Sequence, residues 1–483
     1  MALEKEVQGG VEWRVTVPEG ASAVVEPRPV NGWVDRVPAW LKAPAGFGRK
    51  AWLIGADDPR KVVHGLKVGA ALSLVSLFYY TRPLYDGVGG WAMWAVMTVV
   101  VVFEFTVGGC LCKGFNRAMA TVAAGLLAVG VHWIASRAGE TAEPVILSAS
   151  VFVLASAATF SRFLPAIKAR FDYGITIFIL TFSFVAISGY RVDRLLHLAQ
   201  ERAYTILIGV GICLLVCVLV CPVWAGQELH LLVSGNMEKL ADSLEGLVEE
   251  CFMEDGSEEG KQLPSAKSQG YKCVLNSKAS EDSQANLAKW EPPHGRFRFR
   301  HPWSQYLKVA AAMRYCAYCM EALNGCVASE IKASEKMKSH LRGVCVKLSS
   351  DSSRVLKELS SSIRSMEESR IIPCLVTEMK NGAQELQAAL RSLPEQLSAG
   401  GAEETAAGGG RGEKQTVTVS LMEAMPLITA ASLLAEVSER VEGVVEAVGA
   451  LAALARFEPS DRKKASSSVA PQDESVTPQR EEV

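Results

Sequence analysis

Basic side chains follow apolar segments at two places in this sequence. Lys113 and Arg117 lie just before one apolar run, and Arg162 ends another, with Lys168 and Arg170 close behind it. A helix start beside such cations favours an anion, and a ring of lysine and arginine side chains is one means by which a pore selects anions. Alternatively, these cations only mark one side of a membrane.

One acid lies near the first pair of cations. Glu104 ends an apolar run that begins at Trp91 and includes four consecutive valines, and it is followed by Gly108 and Gly109. A charge within a membrane span is expensive and usually faces a partner or a water-filled path. Glu104 is therefore a candidate acid beside an anion pathway, paired with a nearby cation. Alternatively, it reaches the headgroups from a helix end, and we expect the glycine pair to break that helix.

Six apolar segments occupy the first half of the chain, and a helix needs roughly 20 residues to cross about 30 Å of hydrocarbon. Short links join them in pairs, which predicts antiparallel hairpins. Cations before the first segment favour a cytoplasmic amino terminus. The sequence thus predicts an all-α membrane protein with six transmembrane helices in three hairpins, followed by a cytosolic helical domain. The predicted spans are residues 62–80, 91–107, 118–135, 144–160, 173–190 and 203–224.

The second half of the chain is amphipathic. From Leu229 onward, apolar residues recur every three to five positions, which predicts packed helices that do not span the membrane. The Gly-rich stretch at 401–412 is typical of a linker. The predicted domains are a cytosolic amino-terminal region at 1–60, a transmembrane domain at 61–225, a cytosolic helical domain at 226–457 and a disordered tail at 458–483. Within the first, an aromatic and basic segment around Trp40 either lies at the headgroup level or is a linker.

Other function classes find little support. The net charge of −2 does not indicate a nucleic-acid partner. The basic and aromatic sequence RFRFRHPW at 296–303 weakly resembles single-strand binders, but a strand or turn that packs Phe inward and Arg outward is favoured. Cys316 and Cys319 form a single CxxC without further ligands, so an ordinary helix is favoured over zinc. No enzyme motif is present, and no cofactor or metal is expected.

Several motifs resemble the plant aluminium-activated malate transporter family of anion channels. They are long, ordered and most frequent between about 57 and 326, whereas the last third of the chain matches loosely. These motifs are DDPRKVVHGLKVG at 57–69, FYYTRPLYDG at 78–87, WAVMTVVVVFEFTVG at 94–108, KGFNR at 113–117, FDYG at 171–174, CPVWAGQELH at 221–230, LNSK at 275–278 and KWEPPHGRFRFRHPW at 289–303.

The resemblance implies a homodimer in a lipid bilayer, with six spans per subunit and a basic pore that passes malate and other anions. Carried over by position, the pore cations would be Lys113, Arg117 and Arg162, with Lys168 and Arg170 at the mouth. The family name does not imply activation by aluminium for every member. The plasma membrane is favoured over the vacuolar membrane.

The resemblance also implies a regulatory stretch. WAGQEL after the sixth span is similar to a segment proposed to sense GABA in the family, so the regulatory candidates are Trp224, Gln227, Glu228 and Leu229. Two rival functions stay open: a secondary transporter or efflux pump for organic acids, and a membrane-anchored scaffold. Composition does not separate them from a channel.

Overall fold

The structure is a computed structural model that describes residues 49–50, 52–82, 92–139, 141–189, 195–252, 267–328, 335–403 and 421–459. Most of the predicted amino-terminal region, including the segment around Trp40, lies outside the described residues, as do most of the predicted linker and nearly all of the predicted tail. The chain divides into two compact units, 1–63 and 64–483. All contacts of the candidate site lie within the second unit.

Apolar helices form the first half, as the sequence predicts. Within the described residues, four apolar segments are long enough to cross a membrane, in the helices that begin at Pro59, Val107 and Glu143 and at residues 170–188, whereas 93–102 and 203–219 are shorter. The mostly helical fold is confirmed, and the arrangement of six spans in three hairpins stays a prediction. The helices are α1 Pro59–Tyr80, α2 Ala92–Val102, α3 Val107–Arg137, α4 Glu143–Ser161, α5 Pro165–Gly189 and α6 Leu195–Leu219.

The boundary between α2 and α3 differs from the prediction. The helix ends at Val102, and the glycine pair lies in the first turn of α3 instead of breaking the chain. Thr106 caps α3, because its hydroxyl accepts a hydrogen bond from the Gly109 N–H at 3.1 Å. Gly108 is required for close approach, since a Cβ there would overlap the carbonyl oxygen of Leu287. The third apolar helix therefore begins at Val107 and not at the predicted Ala118.

The long helix α3 takes part in both apolar clusters of this half. Near its start, Val107 and Cys110 pack in a cluster that also holds residues of α1, α2 and α6. Further along, Ala124 and Ala128 pack against Phe182 and its neighbours in α5. Small side chains let helices approach closely where lipid offers no hydrophobic driving force. Because α3 carries Lys113 and Arg117, this packing fixes where both cations lie.

The carboxyl-terminal helical region, 225–459, has one shared core. The predicted stripe of its first helix is confirmed, since Leu229, Met237, Leu240, Leu244 and Leu247 are fully buried. A short parallel pair of strands, Glu367–Glu368 and Glu458–Pro459, joins the ends of two long helices. The elements are α7 Ala225–Cys251, α8 Tyr271–Asn276, α9 Lys278–Ala288, α10 Trp303–Ala328, α11 Glu335–Ser365, β1 Glu367–Glu368, α12 Ile372–Glu403, α13 Leu421–Ala455 and β2 Glu458–Pro459.

Candidate functional site

A buried arginine lies at the contact between α3 and α5. Arg117 has 7% of its surface exposed, and its Nη1 donates a hydrogen bond to the hydroxyl oxygen of Tyr173 at 3.3 Å. Its buried Nε has no hydrogen-bond partner. Among the described residues, no carboxylate lies within ion-pair distance of this guanidinium. A buried cation without a counter-charge is expensive, so the position favours a bound anion.

A second cation lies one helical turn earlier on the same face of α3. Lys113 forms an ion pair with Glu104, and its Nζ lies 5.7 Å from the centre of the Tyr173 ring. The predicted pairing of Glu104 with a nearby cation is confirmed. Its place beside an anion pathway stays a prediction. Tyr173 is thus shared by both cations of α3, through its ring and through its hydroxyl.

The other three predicted cations lie around the link between α4 and α5. Arg162 forms a bidentate ion pair with Asp172. Its Nε donates to Oδ1 at 2.7 Å, and its Nη2 donates to Oδ2 at 3.1 Å. Lys168 and Arg170 are exposed. The Asn116 side chain donates a hydrogen bond to the carbonyl oxygen of Arg170 at 3.1 Å, which holds the start of this span against α3.

These contacts divide the five predicted cations into three groups, of which the exposed Lys168 and Arg170 form one. Lys113 and Arg162 have acidic partners, Glu104 and Asp172. In the part of the chain that the structure describes, Arg117 has no acidic partner within ion-pair distance, and it is the buried cation of the five. The charge left for an anion in the interior is therefore concentrated at one side chain and not spread over a ring.

The prediction that a helix N-terminus attracts an anion beside Arg117 is wrong. Helix α3 begins at Val107, ten residues before Arg117. At about 1.5 Å per residue, this places Arg117 about 15 Å inside the helix. The field of the helix dipole falls off within the first turn. The electrostatic attraction at this position therefore comes from the guanidinium itself and from the Tyr173 hydroxyl beside it.

One buried carboxylate caps two helices at once. Glu291 accepts hydrogen bonds from the backbone N–H of Gly108 at 3.1 Å, of Ala225 at 2.6 Å and of Gly226 at 3.0 Å. Gly108 lies in the first turn of α3, and the other two begin α7. Burial raises the pKa of Glu291 above its ordinary value, while the three donors and His294 favour the charged form. Glu291 therefore links the cation-bearing helix directly to the carboxyl-terminal helical region.

Close packing at the start of α7 leads to a prediction. A Cβ at Gly226 would overlap the indole of Trp303. Gly226→Ala is expected to destabilise the protein by about 1–3 kcal/mol, the usual cost of overpacking a core. Thermal unfolding of the purified chain measures it.

Gly235 provides a matched control in the same helix, since nothing lies within 4 Å of a Cβ there. Gly235→Ala should be neutral or stabilising by about 0.5–1 kcal/mol, because alanine is the better helix former. Equal stability of the two variants would show that Trp303 does not require the glycine.

The four regulatory candidates divide between the inside and the surface. The Trp224 ring stacks on His294, with centroids 3.9 Å apart and planes at 12°. Leu229 is fully buried, Glu228 is half-buried and Gln227 is exposed. Trp224 and Leu229 therefore act as packing residues here, whereas Gln227 is available at the surface. Their regulatory role stays a prediction.

Four side chains of the site were not predicted as site residues. Asp172 and Tyr173 stand in the motif FDYG, and Glu291 in WEPPHG. Lys67 is a lysine within the first apolar run, 3% exposed, and its Nζ donates a hydrogen bond to the Cys221 carbonyl oxygen at 2.7 Å. Lys67 could have been predicted as a site residue, because it is a charged residue inside an apolar segment. The other three required knowledge of which helices touch.

The described ranges contain no group of three His, Cys, Asp or Glu side chains that could hold a metal ion. The CxxC pair lies within α10, as expected for an ordinary helix. Burial raises the pKa of Cys316 to about 12, so this side chain is a neutral thiol.

Comparison with known proteins gives consistent results. A family described as aluminium activated malate transporter matches residues 52–415. The chain is 49% identical to "Aluminum-activated malate transporter 10" of Arabidopsis thaliana, over 94% of this chain and 96% of that protein. It is 45% identical to "Aluminum-activated malate transporter 1" of Triticum aestivum, over 87% and 88% of the two chains. It is also 43% identical to "Aluminum-activated malate transporter 2" of Arabidopsis thaliana, over 87% and 80%.

Proposed function

Because the chain belongs to the aluminium-activated malate transporter family, and is therefore a multi-pass membrane protein and not an enzyme, we propose that it is an anion channel. It conducts malate and inorganic anions across a plant membrane, through a pathway lined by lysine and arginine. The pathway cations are Lys113, Arg117, Arg162, Lys168 and Arg170. Among these, Arg117 is the main contact of the permeating anion.

The observation that carries this proposal is the state of Arg117. Its guanidinium is buried, keeps one nitrogen without a hydrogen-bond partner and has no carboxylate at ion-pair distance among the described residues. A guanidinium presents paired donors that match a carboxylate. A permeating dicarboxylate would supply the missing acceptor and the counter-charge together. It would then leave readily if the next cations along the path compete for it.

The paired cations have a different part in the proposal. Lys113 with Glu104, and Arg162 with Asp172, keep the path lined by charge while each cation is held by an acid. A fully uncompensated ring would bind a dianion too tightly for rapid passage, because conduction requires release as well as entry. The exposed Lys168 and Arg170 attract anions to the mouth of the path.

Recordings from the whole protein test the proposal. Patch-clamp currents with malate, nitrate and chloride, with and without aluminium, should be large and reverse near the Nernst potential of the anion. Strictly proton-coupled flux without unitary conductance would favour a secondary transporter instead. Liposomes that contain the protein and move no malate would favour a membrane-anchored scaffold.

Assembly and location are further parts of the proposal, suggested by the resemblance to the family. The proposed form is a homodimer in the plasma membrane, with the carboxyl-terminal helical region in the cytosol. Light scattering of the purified protein in detergent should give twice the mass of one chain after the detergent is subtracted. A mass of one chain would contradict the dimer.

The carboxyl-terminal helical region is proposed to control gating and assembly without lining the pathway. Support comes from Glu291, whose carboxylate holds the first turns of α3 and α7 together. The stretch from Trp224 to Leu229 begins this region and is the proposed place where a regulator acts. A regulator bound there would change the same helix start that Glu291 caps.

Truncation tests this role. A chain that ends after Leu232 is expected to lose regulated current, because it lacks Glu291 and the core that buries the apolar face of α7. A chain that ends after Pro459 loses only residues beyond β2 and should conduct like the parent. Normal, normally gated currents from the shorter chain would refute a gating role for the region.

A further inference from the structure

The sequence 296–300 alternates arginine with phenylalanine, and its two aromatic rings have opposite surroundings. The sequence predicts that both rings pack inward. Phe297 is half-buried, but Phe299 leaves 73% of its surface exposed. A single exposed phenylalanine is ordinary at a protein surface, so the charged neighbours and the position of Phe299 decide what this ring can bind.

The inward ring anchors this segment. Phe297 has ring contacts with His230 at 5.5 Å, His294 at 5.4 Å, His301 at 5.2 Å and Trp303 at 5.1 Å. Burial lowers the pKa of His301 to about 4, so this side chain is neutral at cellular pH. The Phe297 ring therefore packs in an aromatic cluster that anchors the segment, and His301 within this cluster is neutral.

The outward residues combine charge with an apolar ring. Arg298 and Arg300 are exposed on either side of Phe299, and the Arg300 guanidinium lies 5.4 Å from the centre of the Phe299 ring. Arg300 has φ of 60°, a left-handed conformation that few L residues adopt. Within the described ranges neither arginine forms an ion pair. Both positive charges are therefore free to meet an anionic surface.

The position of the segment places it beside the membrane. Glu291, at its amino-terminal side, binds the start of α3 and the start of α7. Trp303, at its carboxyl-terminal side, packs on Gly226 in the first turn of α7. The last apolar helix, α6, ends at Leu219, and α7 begins at Ala225, a few residues later. Both ends of the segment therefore lie at the end of the helical region that faces the spans.

We propose that Arg298, Phe299 and Arg300 dock on the headgroups of anionic phospholipids in the adjacent leaflet. Guanidinium groups bind phosphate with paired hydrogen bonds, and an aromatic ring is favoured at the headgroup level. Juxtamembrane arginines are attracted to anionic lipid surfaces. A single-stranded nucleic acid fits less well, because its bases need successive aromatic platforms and only one ring of this segment faces outward.

Native mass spectrometry of the full chain in detergent tests the proposal. The probes are phosphatidylinositol 4-phosphate and, as the neutral lipid, phosphatidylcholine. The parent should bind the anionic lipid preferentially. The double variant Arg298→Gln/Arg300→Gln should bind it about thirtyfold more weakly, since each arginine near such a surface contributes a factor of about five. Phe299→Ser should also bind more weakly, with both charges retained.

A matched control removes two exposed cations elsewhere. Lys272 and Arg391 are exposed, and neither forms an ion pair within the described residues. Lys272 lies beside Tyr271, whose N–H binds Ser243, eighteen residues and about 27 Å along α7 from Ala225. Lys272→Gln/Arg391→Gln should bind the lipid like the parent. Conversely, Arg298→Lys/Arg300→Lys should retain most of the binding, because the charge is kept.

Three results would overturn the proposal. The first is unchanged lipid binding by Arg298→Gln/Arg300→Gln. The second is an equal loss in the Lys272→Gln/Arg391→Gln control, which would indicate general charge attraction. The third is displacement of the lipid by an equimolar soluble inositol phosphate or by a single-stranded oligonucleotide, which would assign the arginines to a free phosphate or to nucleic acid.

Discussion

Replacing Arg117 by alanine is expected to lower the malate current at least tenfold at equal surface amount. The side chain is buried in α3, donates to the Tyr173 hydroxyl and has no acidic partner among the described residues. In the proposed pathway it donates two charge-assisted hydrogen bonds to the permeating carboxylate. Each such bond contributes about 1.5–3 kcal/mol, and 1.4 kcal/mol corresponds to a factor of ten. Whole-cell currents, normalised to surface protein by biotinylation, provide the measurement.

The lysine variant separates charge from geometry at the same position. Arg117→Lys keeps the positive charge but loses the planar fork that matches a carboxylate. It should retain preference for anions over cations while malate becomes weaker relative to chloride. Arg137→Ala is the control, because Arg137 is exposed in the last turn of the same helix. If Arg117→Ala conducts malate like Arg137→Ala, Arg117 only orients its helix.

Some features of this site could be predicted because they depend on local sequence. Lys113 and Arg117 are four residues apart, so any helix places them on one face. Glu104 ends an apolar run, and a cation within reach was the expected partner, which Lys113 provides. The apolar stripe of α7 also follows from its spacing alone, and the core of the carboxyl-terminal helical region contains it.

Other features depend on which helices touch, and spacing does not report this. Arg162 was predicted as a pore cation, and its two-pronged bond to Asp172 depends on how α4 turns into α5. The glycine pair was predicted to break the helix. In the structure, Leu287 of α9 and Glu291 of the following turn lie so close to Gly108 that a side chain there would overlap them. In each case the sequence gives the residue type, but it does not give the residue that contacts it in the folded protein.

Glu291→Gln is expected to loosen the joint between α3 and the carboxyl-terminal helical region. The carboxylate has two acceptor oxygens for three backbone donors, with Gly108 and Ala225 on one and Gly226 on the other. Glutamine keeps the size but offers one oxygen, so at least one buried N–H then faces an NH2 group. Loss of the charge also removes a favourable partner for two helix N-termini. The free energy of unfolding should fall by about 1.5–3 kcal/mol.

The same substitution should change gating, since the proposed control region would act on α3 through this carboxylate. The current of Glu291→Gln should depend less on voltage and regulators than that of the parent, while its preference among anions stays the same. Asp282→Asn is the matched control, because Asp282 is an exposed acid in the preceding helix. Unfolding in urea and patch-clamp recordings check the two effects separately. A variant that is less stable but gated normally would show that Glu291 holds the fold together without transmitting a signal to Arg117 and its helix.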